Sequence, residues 1–181
     1  MKKIVVILFS LLAAIAVAAG PKSQPVAVNL LHLKALNTSE RGGDELYMSV
    51  TVYPSQGKSS TKQIPQRPLH WLNKHLEKIN NLNLWSGDLA PGQSVSILLS
   101  LMEQDAPPWN TDDLIGTVRV HIKNDNGKLI SSWSMPNRID SPTEVYTKHG
   151  PAKLFELTGE GARYQAYFLL TNKKPQAKPK T

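Results

Sequence analysis

The chain has 181 residues, no cysteine and a formal net charge of +7 at neutral pH. The lack of cysteine excludes disulfide bonds, thiol catalysis and cysteine-bound metal sites. Two lysines near the N-terminus and four within the last nine residues carry most of the charge, so the body between them has a formal charge of +1. Because no basic stretch is interleaved with aromatic residues, nucleic acid is not the expected partner.

The first 19 residues have the composition of a bacterial-type signal peptide. Lys2 and Lys3 precede an apolar run over residues 4–16, and alanines at 16 and 18 offer a cleavage site. The apolar run is short for a transmembrane helix. We therefore expect an exported protein, either periplasmic or secreted. Its expected organisation is a 1–19 signal peptide, a 20–25 linker, one domain over 26–171 and a basic, disordered tail over 172–181.

The rest of the chain alternates short β-rich segments with turn residues. The run 46–53 is β-rich and closed by Pro54, and residues 115–122 alternate apolar and polar side chains as a half-buried strand does. Asn126-Gly127 and Gly159-Glu160-Gly161 indicate hairpin turns. This spacing predicts an antiparallel β-sandwich. The expected core includes Leu72, Leu76, Val95, Ile97, Val118, Val120, Ile130, Trp133 and Phe168.

One segment, residues 68–79, predicts an amphipathic helix. Pro68 suits a first helical turn, and four apolar residues follow it at the spacing of one buried helical face. These four are Leu69, Leu72, Leu76 and Ile79. The expected fold class is therefore all-β, an antiparallel sandwich with one inserted amphipathic helix.

Residues 101–116 place an acidic loop between two predicted strands. Pro107-Pro108 cannot donate hydrogen bonds to a β-ladder, so the acidic residues around them are expected on a loop at one end of a sheet. These residues are Glu103, Asp105, Asp112 and Asp113. Clustered carboxylates repel one another unless a cation neutralises them, and oxygen-rich loops hold calcium. The alternative is a solvated loop in which Asp112 caps a turn and nearby Lys or Arg offset the charge.

Three motifs, in this order, resemble those of C2 domains. Residues 43–50 (Gly-Asp-Glu-Leu-Tyr-Met-Ser-Val) resemble the end of that family's first calcium loop. Glu103-Gln104-Asp105 and the later Asp113-Leu114-Ile115-Gly116 resemble its other calcium loop. Asn83-Leu84-Trp85 falls between them, as an Asn-Pro-x-Trp signature does in the family. Two positions depart from the pattern, since Thr38 and Glu103 stand where the family usually has Asp.

The resemblance implies a C2-like β-sandwich that binds calcium and an anionic phospholipid membrane or a partner protein. The implied calcium ligands are Asp44, Glu103, Asp105, Asp112 and Asp113. In that family, apolar residues at the loop tips enter the membrane once calcium cancels the carboxylate charge. Trp109 lies in the middle of the acidic loop and is therefore the candidate membrane-binding residue.

Catalytic motifs are not evident in the sequence. The five histidines are scattered without a metal-binding spacing, and there is no nucleophile-elbow motif. The leading hypothesis is an exported binding module without enzymatic activity, a class that includes secreted effectors. Two alternatives stay open: an exported metal-assisted hydrolase that uses the 103–113 acidic loop, and a periplasmic structural or interaction protein with no metal. The sequence leaves the oligomeric state open.

Overall fold

The computed structural model describes residues 22–105, 111–136 and 142–172. Within these ranges the chain forms eleven β-strands and one short 3-10 helix, which spans Asn73–Lys78. The strands are β1 (Gln24–Asn37), β2 (Glu45–Pro54), β3 (Ser60–Ile64), β4 (Trp71–Leu72), β5 (Leu82–Leu89), β6 (Ser94–Glu103), β7 (Asp113–Asp125), β8 (Lys128–Ser134), β9 (Thr143–Thr147), β10 (Gly150–Gly159) and β11 (Ala162–Thr171).

The strands pair into two antiparallel sheets that pack face to face. Sheet I has the order β5-β1-β11-β10-β9, and sheet II has the order β3-β2-β6-β7-β8, with β4 also paired to β2. The predicted antiparallel β-sandwich is thereby confirmed. Asn126 and Gly127, with φ angles of 52° and 96°, form the tight turn between β7 and β8. The last two strands are joined in the same way through Glu160 and Gly161, also at positive φ.

The core lies between the sheets and follows the period-2 alternation of the strands. On β2, for example, Leu46, Met48 and Val50 point inward and are fully buried. Each such side chain contributes about 1.5–3 kcal/mol relative to its exposed state. Six of the expected core residues are buried: Leu76, Val95, Ile97, Val118, Val120 and Phe168. Leu72 is only partly buried.

Ile130 is the expected core residue for which the prediction was wrong, because its side chain is 48% exposed. Ile130 and Trp133 lie three residues apart on β8, and residues at an odd separation in a strand point to opposite faces. Trp133 is the one that points inward, and its ring lies 6.0 Å from those of Phe155 and Phe168. Ile130 and Trp133 therefore cannot both lie in the core between the two sheets.

The predicted amphipathic helix over residues 68–79 is not confirmed. Trp71 and Leu72 instead form β4 and pair with the start of β2, which leaves a six-residue 3-10 helix. So short a segment does not hold a helix by itself, and it is held here by burial of Leu76 and Ile79. Leu69, which a continuous helix would bury, is 65% exposed.

The first and last strands lie close to the predicted domain bounds of 26 and 171, and the division into signal peptide, linker, domain and tail stays a prediction. β1 begins at Gln24 and β11 ends at Thr171. The predicted signal peptide and the tail beyond Asn172 lie outside the described residues. In the described ranges, no helix has the length and apolar character needed to cross a bilayer.

Candidate functional site

Strand pairing brings the predicted site residues to one end of the sandwich, which we call the acidic end. β6 finishes at Glu103 and β7 starts at Asp113, and these two residues lie opposite each other in the ladder. On the other side of β6, Glu103 pairs with Leu46, two residues after Asp44. Trp109, in the β6–β7 connection, lies outside the described residues.

Asp44 is 0% exposed, and protein donors occupy both of its carboxylate oxygens. The backbone N–H groups of Ser39 and Glu40 donate to Oδ1 over 3.0 and 3.1 Å, and the Ser39 hydroxyl donates to the same atom over 2.9 Å. The Tyr164 hydroxyl, from sheet I, donates to Oδ2. Donors of this number stabilise a buried carboxylate without a metal, and they tie the 39–44 loop to the opposite sheet.

Tyr164 links Asp44 to the 3-10 helix through Asn73. Its hydroxyl lies 2.9 Å from the Asn73 side-chain oxygen, but its single hydrogen cannot be donated to both partners. The Asn73 amide nitrogen is buried without a partner among the described residues. A 180° rotation of the Asn73 side-chain amide exchanges its oxygen and nitrogen. The nitrogen then donates to the Tyr164 hydroxyl oxygen, and the Tyr164 hydroxyl donates to Asp44. Burial, and then the hydrogen bond to Asp44, raises the pKa of Tyr164 and keeps the hydroxyl protonated.

Glu103 is the second buried carboxylate of the acidic end, at 4% exposure. Its Oε2 lies 2.7 Å from the Ser39 hydroxyl, which has one hydrogen to share between Glu103 and Asp44. Burial raises the pKa of Glu103; the Ser39 hydrogen bond opposes this, and the charges of Asp44, Glu40 and Asp105 add to the increase. Across the described ranges, no Lys, Arg or His forms an ion pair with either buried carboxylate.

Asp112 belongs to a different set of contacts. Arg67 Nη2 and the Tyr47 hydroxyl donate to its Oδ2 over 2.6 and 2.7 Å, and the Asp105 backbone N–H donates to Oδ1 over 3.3 Å. Burial alone would raise the pKa of Asp112, but the Tyr47 and Asp105 hydrogen bonds and the Arg67 charge outweigh it and lower the pKa. Since Tyr47 alternates with the inward residues of β2, Asp112 is held on the outer side of sheet II.

Of the five predicted calcium ligands, Asp105 and Asp113 have the fewest side-chain partners among the described residues. The Oδ2 atom of Asp105 and the Oε1 atom of Gln104 are buried without a hydrogen-bond partner in the described part of the chain. Asp113 begins β7 and is partly exposed. Among the described residues, no group of three or more His, Asp or Glu side chains is arranged to hold a metal ion. The geometry therefore brings Asp44, Glu103 and Asp113 to one end and holds Asp112 away from the two buried carboxylates.

Sequence reasoning missed the donors that organise the acidic end. Tyr164 is 120 residues from Asp44, and no local pattern connects them. Ser39 carries a weak signal, because serine before a glycine-rich turn commonly bonds to nearby backbone. A stronger signal concerned the carboxylates themselves. Asp44 and Glu103 continue the inward positions of β2 and β6, which predicts a buried polar end rather than a wholly exposed loop.

The fold and the site define a class: a two-sheet antiparallel β-sandwich whose core is closed at one end by buried carboxylates and their hydroxyl and amide donors. The chain matches no protein-family model and no curated protein.

Tyr47 provides a test of this geometry at alkaline pH. Burial, and then its hydrogen bond to the charged Asp112, raises the pKa of Tyr47 to about 12. An unfolded tyrosine ionises near pH 10, so the folded state holds this proton more tightly than the unfolded state. Its contribution to stability is complete below about pH 10 and is lost as the pH rises through about 12.

We therefore expect the free energy of unfolding to fall less steeply in Tyr47→Phe than in the wild type over this alkaline range. Urea unfolding at a series of pH values measures the difference. Tyr53→Phe is the matched control, because Tyr53 is 49% exposed on the same strand, and it should retain the wild-type slope. An unchanged slope in Tyr47→Phe would contradict the assigned contact.

Proposed function

We propose that this protein is an exported binding module without enzymatic activity, and that its acidic end binds calcium and docks on an anionic phospholipid membrane. A partner protein is the alternative ligand. The observation that carries the proposal is the unbalanced negative charge at one end of a rigid sandwich. Glu103, Asp105 and Asp113 have no ion-pair partner in the described ranges, and like charges this close are unfavourable.

Calcium is the cation proposed because the free ligand atoms are oxygens. The buried Oδ2 of Asp105 and Oε1 of Gln104 lack hydrogen-bond partners in the described part of the chain, and carboxylate and amide oxygens suit calcium. Asp44 and Asp112 are already occupied by protein donors. The proposal therefore gives Glu103, Asp105 and Asp113 the ligand roles, which requires calcium to draw them together, since they do not form a ready-made metal site in the described residues. Asp44 and Asp112 hold the surrounding loops.

The C2-like assignment is part of the same proposal. It is supported by the order of the sequence motifs and by the two-sheet antiparallel architecture. The tyrosine of the first motif, Tyr47, donates its hydroxyl proton to Asp112, which directly precedes the Asp113-Leu114-Ile115-Gly116 motif. The two motifs that resemble calcium loops are thus in contact across the β2–β6–β7 part of sheet II.

Calorimetric titration of calcium into the purified protein tests the cation. We expect a saturable binding heat that weakens in Asp105→Asn, because this change removes the charge of the least engaged carboxylate. Asp125→Asn is the matched control, since Asp125 lies at the opposite end of β7 and pairs with Lys123 over 3.3 Å. A wild-type protein that gives no heat with calcium would refute the cation site. Phosphoester hydrolysis that Asp105→Asn abolishes would instead favour the metal-assisted hydrolase.

The membrane role rests on Trp109, whose position in the sequence places it between Asp105 and Asp112 on the β6–β7 connection. An indole ring is favoured at the membrane interface, being apolar with one N–H that can still reach water. We expect Trp109→Ala to preserve calcium binding and to reduce binding to vesicles that contain anionic phospholipid.

Fluorescence measures the insertion directly when Trp71, Trp85 and Trp133 are replaced by Phe. The emission of Trp109 should shift to the blue when vesicles and calcium are both present, and the shift should disappear with a chelator. If calcium binds but the emission does not shift, membrane docking through Trp109 is refuted, and a partner protein remains as the proposed ligand.

A further inference from the structure

A second concave site lies on sheet I and shares no residue with the acidic end. It is a cavity of about 510 Å³ with walls from β1, β11, the segment that ends the 3-10 helix and the turn between β9 and β10. This volume is within the range of about 300–1,000 Å³ that is typical of small-molecule sites. The function proposed above makes no use of it.

The floor of the cavity is apolar and contains an aromatic pair. The register between β1 and β11 shifts at Leu31, which is the extra residue of a β-bulge, so that His32 lies opposite Tyr167. The two rings meet edge to face with centroids 6.2 Å apart. Leu31 and Leu169 belong to a small buried cluster, separate from the main core, against which Tyr167 packs. The bulge therefore holds an accessible aromatic surface on a fixed apolar base.

The rim is polar and mixed in character. Glu77 and Asn80 come from one wall, and Lys148 and His149 come from the turn opposite. In the described part of the chain, none of these four side chains forms a hydrogen bond or ion pair with the protein. Together they offer a carboxylate acceptor, an ammonium donor, and amide and imidazole groups that do both. This differs from the acidic end, where protein donors already occupy both carboxylate oxygens of Asp44 and of Asp112.

We infer that this cavity binds a saccharide of one or two sugar rings. Every sugar hydroxyl both donates and accepts hydrogen bonds, which suits a rim that offers both, and the C–H face of a sugar ring packs on an aromatic ring such as that of Tyr167. Glu77 and Lys148 are exposed, so a purely apolar ligand would cover polar side chains that now face water. The rim carries one carboxylate and one ammonium group, whose charges offset each other, so a neutral polar ligand suits it better than a charged one.

Ligand-observed NMR with the purified protein tests the inference. The probes are glucose, galactose, mannose, N-acetylglucosamine, maltose and cellobiose, each with and without a calcium chelator. At least one of them should bind, with unchanged affinity in chelator, because the cavity contains none of the proposed calcium ligands. A panel with no binding at millimolar concentration would overturn the inference, whatever the calcium result at the acidic end.

Matched variants locate the binding. Tyr167→Ala should weaken the affinity roughly tenfold or more, since it removes the stacking surface. Tyr146→Ala should leave it unchanged, because Tyr146 is 86% exposed on β9 and does not line the cavity. Glu77→Gln should also weaken binding. It changes an exposed rim residue and leaves the floor intact, so it serves as the test if Tyr167→Ala does not fold. Equal affinity in the wild type, Tyr167→Ala and Glu77→Gln would place the sugar elsewhere and overturn the assignment.

Discussion

Asp44→Ala is expected to lower the free energy of unfolding by about 3 kcal/mol. This is a large effect for a single residue that the sequence pattern predicts at the end of a loop. The change removes the acceptor for two backbone N–H groups and for the Tyr164 hydroxyl, while the Ser39 hydroxyl keeps Glu103 as an acceptor. Donors that lose a partner inside the protein cost about 1–3 kcal/mol each, less where water can reach them. For a domain of this size the melting temperature should fall by roughly 6–12 °C.

The comparison variants separate structure from metal binding. Asp125→Ala removes an exposed carboxylate and should change the melting temperature little. Tyr164→Phe removes one of the four donors to Asp44 and should have an intermediate effect. If Asp44 is held by protein donors alone, Asp44→Ala loses the same stability in calcium and in chelator. A loss seen only in calcium would identify Asp44 as a cation ligand and contradict the structural role.

The architecture was largely readable from the sequence because its signals are local. Alternation of apolar and polar residues marks strands such as β6 and β7, and Asn126-Gly127 marks a turn whose positive φ angles few other residue pairs accept. The helix prediction over residues 68–79 failed for a non-local reason. The segment's apolar spacing suits a helix, but β2 offers a pairing edge to Trp71 and Leu72 that no local pattern reveals.

The acidic end was readable only in part, for a related reason. Residue types and their order in the chain identified the acidic residues of this region. Strand pairing places two of them, Glu103 and Asp113, opposite each other. What each carboxylate touches depends on side chains far away in the sequence. Arg67 reaches Asp112 across 45 residues, and Tyr164 reaches Asp44 from the other sheet. Those contacts decide which oxygens remain free for a ligand, and they follow from the fold rather than from spacing.

At Gly159, β10 of sheet I lies directly against the backbone of β7 in sheet II. A Cβ atom at Gly159 would lie 2.7 Å from the Ile115 carbonyl oxygen and 2.9 Å from the Ile115 Cα, and nearer still to the Leu114 carbonyl oxygen. These are backbone atoms of β7, so rotation of a side chain cannot relieve the contact. The strand that begins at Asp113 would have to move away from β10, and Asp113 would move with it.

Gly159→Ala is therefore expected to destabilise the protein by about 3 kcal/mol or more, at the upper end of what overpacking costs. Gly42→Ala is the matched control, because no atom lies within 4 Å of its added Cβ and its φ is not positive. Both changes restrict the unfolded chain equally, which favours folding by about 0.4–1 kcal/mol, so Gly42→Ala should be neutral or slightly stabilising. Thermal unfolding of the two variants measures the difference. Equal melting temperatures would mean that β10 and β7 are not in backbone contact at the acidic end.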